Sequence, residues 1–230
     1  MYAILQRSEG PPRPSTNAPD PAVPLMRAIQ QENESVVWKE FVAARKQGDI
    51  HALVQFIYSP EKAKELVQRK YEWASPVSVG GHAVSALADL CQDRGTRAGR
   101  AVEVAEALTN DIHQLVQYVE SPQLELQDPS IVLLFSVMEK LSSEIKTRLV
   151  NIGLFEGLMQ IMKSGFKLKR EMAADTCRAL YDGSDLRKDK FVELGGVTTL
   201  VHVMNMDGDD PNFLHNALLR LYVLIQVSST

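Results

Sequence analysis

Residues 49–60 of the chain, DIHALVQFIYSP, return at residues 111–122 as DIHQLVQYVESP. Eight of the twelve positions are identical, and two others, Phe56 to Tyr118 and Ile57 to Val119, are conservative replacements. Apolar residues in both copies recur at spacings of three and four, which is the period of an amphipathic helix. We therefore interpret the phrase as one helix of a structural unit that the chain repeats.

Two further segments fit the same unit. When Leu53 is aligned with Leu115, the segments GLFEGLMQIM and GGVTTLVHVM place Leu158 and Leu200 at the same position, with successive spacings of 62, 43 and 42 residues. A single unit of this kind cannot bury its apolar face alone, so the units are expected to stack. A longer helical segment follows each short helix and aligns a second set of leucines: Leu90, Leu141, Leu180 and Leu221.

The junctions between these units resemble those of armadillo repeats. In FVELGGVTTLVHVM, residues 191–204, one helix ends in a Gly-Gly turn, and the next opens with an apolar residue followed by Leu-Val. RLVNIGLFEGLMQIM, from Arg148, keeps Gly153 but has Leu154 in place of the second glycine. The resemblance covers residues 49–225 and is most specific over 111–225. It implies an all-α fold, a right-handed α-solenoid of about four armadillo-like repeats.

Three segments are predicted along the chain. Residues 1–24 include PPRPSTNAPDPAVP, whose proline density predicts an extended or disordered tail. Residues 25–110 hold N-terminal helices and a degenerate first repeat, interrupted by an inserted helix at residues 60–74, PEKAKELVQRKYEWA. Residues 111–230 hold the armadillo-like repeats. Four prolines that follow Ser or Asp predict helix starts: Pro60, Pro122, Pro129 and Pro211.

Composition and cysteine spacing narrow the classes of function. The 230 residues are 45% apolar and carry a net charge of −4, so the chain can fill a core and has no overall positive charge for nucleic acid. Cys91 and Cys177 are far apart and form no CxxC pair, which argues against a zinc site or a disulfide framework. No stretch has the pattern of a secretion signal or a membrane span. We expect an intracellular protein, cytoplasmic with the nucleus as the alternative compartment, without metal or cofactor.

Candidate catalytic groups are few. The sequence contains no GxSxG, no HExxH and no phosphate-binding glycine loop. His51 and His113 occupy one position of the repeated phrase, which favours a structural role; an enzyme that uses them, or Cys177, stays an alternative. A basic cluster in the third unit could contact phosphate or an acidic peptide, although such clusters are more typical of solvated helix ends. Its members are Lys163, Lys167, Lys169, Arg170, Arg187, Lys188 and Lys190.

Two surfaces are predicted to bind another protein or a second copy of the chain. The first is the last helix, because residues 217–227, ALLRLYVLIQV, are apolar nearly all the way round, and a helix without a polar face must be covered. The second is the inner face of the solenoid, where the Asn and Trp ladders of peptide-binding armadillo proteins are replaced by other residues. The predicted contact residues are Glu139, Arg178, Asp182, Arg220, Leu221 and Leu224.

These observations predict a non-enzymatic scaffold or adaptor that is one component of a larger complex. The alternative on the same fold is a chaperone cofactor of the nucleotide-exchange type. Both functions follow from the armadillo resemblance and from the binding surfaces, not from a reactive group.

Overall fold

The computed structural model describes residues 36–63, 66–67, 77–92, 97–109, 112–207 and 210–225. The predicted tail, residues 1–24, lies outside this part of the chain. The described residues form helices joined by short turns, with a 3-10 turn at Met138–Lys140 and two short strands, β1 (Leu66–Val67) and β2 (Val77–Ser78). The helices are α1 (Val36–Gln47), α2 (Ile50–Tyr58), α3 (Pro60–Ala63), α4 (Val79–Gln92), α5 (Arg97–Leu108), α6 (His113–Val119), α7 (Leu124–Val137), α8 (Ser143–Asn151), α9 (Leu154–Ser164), α10 (Lys167–Tyr181), α11 (Asp185–Glu193), α12 (Gly196–Asp207) and α13 (Pro211–Ile225).

Twelve of the thirteen described helices, all except the short α3, group into four repeats of three. The repeats are α1, α2 and α4; α5, α6 and α7; α8, α9 and α10; and α11, α12 and α13. The third helices pack in one row, α4 against α7, α7 against α10 and α10 against α13, while the second helices α6, α9 and α12 contact one another in order. Each repeat therefore buries its apolar side against its neighbours, and the predicted all-α solenoid is confirmed.

The repeated phrase makes the same buried contact twice. Leu53 and Leu115 are fully buried in α2 and α6, and Val54 and Val116 are buried beside them. The Asp49 side chain accepts a hydrogen bond from the Ala52 N–H at 3.0 Å and caps α2. In the second copy of the phrase, α6 begins after Ile112 and has no side-chain cap. The two copies thus share their packing and differ in how they begin.

The turn between the first and second helices of the last two repeats depends on glycine. Gly153 and Gly195 have φ angles of +97° and +84°, a left-handed conformation that other residues adopt only with strain. Gly196 follows for a second reason, because a Cβ atom there would lie 2.3 Å from the Phe191 ring. The Gly-Gly pair therefore makes the turn and also lets the α11 ring pack against the start of α12.

The second set of aligned leucines lies in or just after the third helices, at positions that differ between repeats. Leu141 and Leu180 are buried, whereas Leu90 and Leu221 are partly buried and pack against the core. Leu141 follows the 3-10 turn, while Leu180 lies inside α10. The 3-10 turn lengthens the second repeat at its end, so Leu141 follows Leu115 by 26 residues, whereas Leu180 follows Leu158 by 22.

The inserted segment at residues 60–74 is not the single helix that the sequence predicts. Only Pro60–Ala63 is helical, and Leu66–Val67 pairs antiparallel with Val77–Ser78, in the register Leu66 to Ser78 and Val67 to Val77. Pairing with a distant segment overrides the high local helix propensity of this stretch. The remaining residues of the segment, among them Trp73, lie outside the described part of the chain.

The prolines give a mixed outcome. Pro60 and Pro211 begin α3 and α13 as predicted. The prediction is wrong for the other two, because α7 begins at Leu124, so that Pro122 precedes the helix and Pro129 lies inside it. The Gln127 side chain donates hydrogen bonds to two carbonyls near the end of α6, Val119 at 3.1 Å and Ser121 at 3.3 Å. This attachment fixes the first turn of α7 ahead of the proline, which deprives the helix of one backbone hydrogen bond.

Candidate protein-interaction surface

The side of the fourth repeat that faces away from the third repeat is an exposed apolar surface. It is formed by Val197 and Val201 of α12, with 38% and 44% of their surface exposed, and by Leu218 and Tyr222 of α13, with 52% and 57% exposed. We call these four residues the end face. Large apolar side chains that lie together on a surface are typical of protein contacts.

The same positions are buried one repeat earlier. The alignment of Leu200 with Leu158 places Val197 and Val201 at the positions of Phe155 and Met159. The alignment of Leu221 with Leu180 places Leu218 and Tyr222 at the positions of Cys177 and Tyr181. These four residues of the third repeat are buried. The fourth repeat covers them: the Phe155 ring lies 5.0 Å from the Phe191 ring, and the Tyr181 hydroxyl donates a hydrogen bond of 2.9 Å to the Arg220 carbonyl. The end face is therefore the stacking side of a repeat.

The charged groups of the two end helices point away from this surface. Among the described residues of α12 and α13, the side chains that are charged at neutral pH are Asp207 and Arg220. Asp207 accepts two hydrogen bonds from Arg170 of α10, at 2.7 and 2.5 Å, and Arg220 donates to Asp175 of α10 at 3.0 Å. Both ion pairs connect the fourth repeat to the third, so the end face carries no Asp, Glu, Lys or Arg side chain.

The structure corrects one of the three contact residues predicted in the last helix. Arg220, predicted to contact a partner, is only 2% exposed and is occupied by its ion pair with Asp175. Leu221 and Leu224 are half-buried and pack against the core of the chain. The more exposed apolar positions of this helix are Leu218, Leu219, Tyr222 and Ile225, and the end face uses Leu218 and Tyr222. The sequence signal that identifies them is the alignment with Cys177 and Tyr181, which have to be covered in the third repeat.

The other three predicted contact residues come together on the row of third helices. Arg178 of α10 donates to Glu139 of the preceding repeat at 3.1 Å and lies 3.7 Å from Asp182. The two carboxylates are more than half exposed, and such exposed ion pairs stabilise a fold by only about 0–1 kcal/mol. Nearby, burial and then the Arg187 charge lower the pKa of Lys146. This charged cluster forms a second, polar surface.

Most of the basic cluster is neutralised within the chain. Arg187 is buried and donates to the Leu180 carbonyl at 2.5 Å and to the Ser143 hydroxyl at 2.9 Å, so it holds two repeats together. Five other members face carboxylates and leave little positive charge for a phosphate group. These pairs are Lys167 with Asp210, Lys169 with Asp128, Arg170 with Asp207, Lys188 with Asp185, and Lys190 with Glu193.

The candidate catalytic groups do not form a site. His51 and His113 are exposed, whereas Cys177 is fully buried, and burial raises the pKa of its thiol far above the usual value. A thiol in this state is protonated at neutral pH and is a poor nucleophile. The described residues contain no group of three His, Cys, Asp or Glu side chains that could hold a metal ion. None of the described helices has the length and apolar character that crossing a membrane requires.

Comparison with known proteins identifies the fold. No protein-family profile and no curated protein matches the sequence. Among solved structures, the chain is similar to ARO, the armadillo repeats only protein from Plasmodium falciparum, with a TM-score of 0.67 and 23% sequence identity; the match covers 84% of this chain and 80% of that one. The two chains share the order and packing of their helices far more closely than their residues. The resemblance seen in the junction sequences is thus confirmed, and the chain has the armadillo-repeat fold.

Proposed function

We propose that this protein is a non-enzymatic scaffold that binds a helical protein surface at its end face, as one component of a larger complex. The observation that carries the proposal is the exposure of Leu218 and Tyr222 at positions whose counterparts, Cys177 and Tyr181, are buried. When a helix packs on this surface, apolar area is removed from water, and this removal stabilises the complex by about 25 cal/mol per Å². Armadillo folds are generally non-catalytic, which agrees with a binding function.

The charge distribution supports a protein as the partner. The inward ion pairs of Asp207 and Arg220 leave no basic group at the end face, so a polyanion such as nucleic acid finds nothing to neutralise there. An uncharged apolar surface instead suits the apolar stripe of another helix. The polar cluster around Arg178 lies on the row of third helices and could supply rim contacts to the same partner.

Site-specific photocrosslinking tests the proposal. Tyr222 is replaced by the photoreactive amino acid p-benzoylphenylalanine, and the labelled chain is irradiated in an extract of the source cells. The matched control carries the same group at Phe166, another exposed aromatic residue, which lies between α9 and α10. We expect discrete cross-linked protein products from position 222 that are absent from position 166. A second chain, with Leu218→Glu added, should lose them because the charge prevents packing.

The proposal is wrong if position 222 gives no discrete product, or if positions 222 and 166 give the same products. Mass spectrometry of the cross-linked peptides then identifies the protein and the segment that lies against α13. A helical apolar segment is the expected result, and a disordered acidic segment would contradict the proposed contact.

A further inference from the structure

We propose that the occupant of the end face is a second copy of this chain, related to the first by a two-fold axis that passes close to Tyr222. The inference rests on the proposed function, because it assigns the partner of the same surface. It makes the protein a dimer whose two solenoids are joined through their fourth repeats.

The first argument is continuity with contacts already present in the molecule. The stacking side of the third repeat, with Phe155 and Tyr181, packs against another repeat of the same chain. The end face repeats those positions with residues of the same apolar character, Val197 and Tyr222. Side chains at these positions therefore pack against protein elsewhere in the molecule, and a second copy supplies a matching apolar surface, its own end face.

The second argument concerns charge. A two-fold axis brings each surface against itself, so a charge close to the axis would meet its own copy, a like charge. The end face avoids this repulsion because Asp207 and Arg220 are paired inward. The first described helix, α1, differs, since Lys39, Glu40 and Lys46 are exposed along it. End-to-end contact with α1 would bury these charges against an apolar surface, which favours contact between two identical end faces.

The third argument is the geometry of α13. Leu218, Tyr222 and Ile225 follow one another at spacings of four and three, so they form one stripe along the helix, and Ile225 is 76% exposed. When two such stripes run antiparallel about an axis at Tyr222, Leu218 of one chain lies opposite Ile225 of the other. The two tyrosines meet at the centre of the contact.

This pairing gives a specific experiment on the purified full chain. Light scattering and analytical ultracentrifugation across a concentration series measure the mass of the parent chain and of Leu218→Glu, Ile225→Lys and the double variant. We expect a dimer for the parent and a dissociation constant about thirtyfold higher for each single variant, since buried contacts of this kind commonly contribute at that level. The double variant should regain the dimer, because the carboxylate introduced in each copy would then face the ammonium group introduced in the other.

The matched control is Leu124→Glu. Leu124 is 53% exposed, nearly the same as Leu218, and it lies in the third helix of another repeat. This variant should remain a dimer. Circular dichroism establishes that each variant keeps its helical content, and Ile225→Lys provides a second test at a highly exposed site if Leu218→Glu unfolds the chain.

Several results would overturn the inference. A dimer that survives both single variants lies at another surface, and a double variant that stays monomeric contradicts the antiparallel pairing. A monomeric parent chain that is cross-linked to a different protein from position 222 overturns the second copy as occupant and leaves the proposed scaffold function intact. A monomeric parent without any cross-linked product overturns both.

Discussion

At the scale of single residues, the junction between α11 and α12 depends on two glycines with different duties. Gly195 supplies a positive φ angle, and nothing lies within 4 Å of the position that its Cβ would occupy. Gly196 has a Cβ position that overlaps the Phe191 ring. One residue is needed for the backbone and the other for packing.

Replacing Gly196 by Ala should destabilise the protein by about 1–3 kcal/mol, because the new methyl group must displace the buried Phe191 ring. Urea unfolding of the single variant measures the loss. Phe191→Leu serves as the partner in a double-mutant cycle, since a smaller side chain relieves the overlap. Losses that simply add in the double variant would mean that the ring is not what excludes the methyl group.

At the scale of helices, the contact between the last two repeats includes two ion pairs of different exposure. Arg170 and Asp207 join α10 to α12, with side chains 11% and 8% exposed. Lys167 and Asp210 connect the start of α10 to the start of α13 at 2.6 Å and are much more exposed. The first pair is screened from water, and the second is not.

Asp207→Asn should therefore cost about 3 kcal/mol of unfolding free energy, because it leaves the Arg170 side chain, only 11% exposed, without a countercharge. Lys167→Met breaks the exposed pair and should cost about 0–1 kcal/mol. Urea unfolding at constant pH compares the two variants. Equal losses would contradict the difference in burial as the determining factor.

The helix pattern shows how far the sequence could predict this structure. The repeat register was predictable because the contact of Leu53 recurs at Leu115, Leu158 and Leu200, and recurrence needs no knowledge of the partner surface. The β pair at Leu66–Val67 was not predictable, since it depends on a segment ten residues further along the chain. Local helix propensity gives no sign of such pairing.

The sequence predicted that the last helix takes part in the candidate site, but not which side of that helix is exposed. α13 has apolar residues on every side, so its sequence contains no polar stripe to show which side is buried. The sequence therefore did not show that Leu218 and Tyr222 are more exposed than the predicted contact residues Leu221 and Leu224, which are half-buried. The burial of Arg220 depends on Asp175, which lies 45 positions earlier and gives no local signal.

At the scale of the whole molecule, each repeat contacts mainly its neighbours, so stability is distributed along the stack. α7 and α10 lie between two other third helices, whereas α13 has one such neighbour, α10, within the described part of the chain. Repeat proteins of this kind open from the ends, because the terminal repeat is held on one side only.

Hydrogen exchange should show this gradient. In the Leu218→Glu variant, we expect the amides of α13 to exchange fastest and those of α7 and α10 slowest. In the parent chain, α13 should become more protected as the protein concentration rises, because the second copy covers it. Exchange at one common rate in all helices would indicate a single cooperative unit and contradict the gradient.

The inward placement of Asp207 and Arg220 also decides the thermodynamic signature of whatever binds at the fourth repeat. With no ions to release from this surface, added sodium chloride should leave the affinity almost unchanged, and a salting-out anion such as sulfate should increase it. The binding enthalpy should become more negative on warming, since removal of apolar surface from water lowers the heat capacity. Titration calorimetry at several temperatures would therefore recognise an occupant of this surface without a structure of the complex.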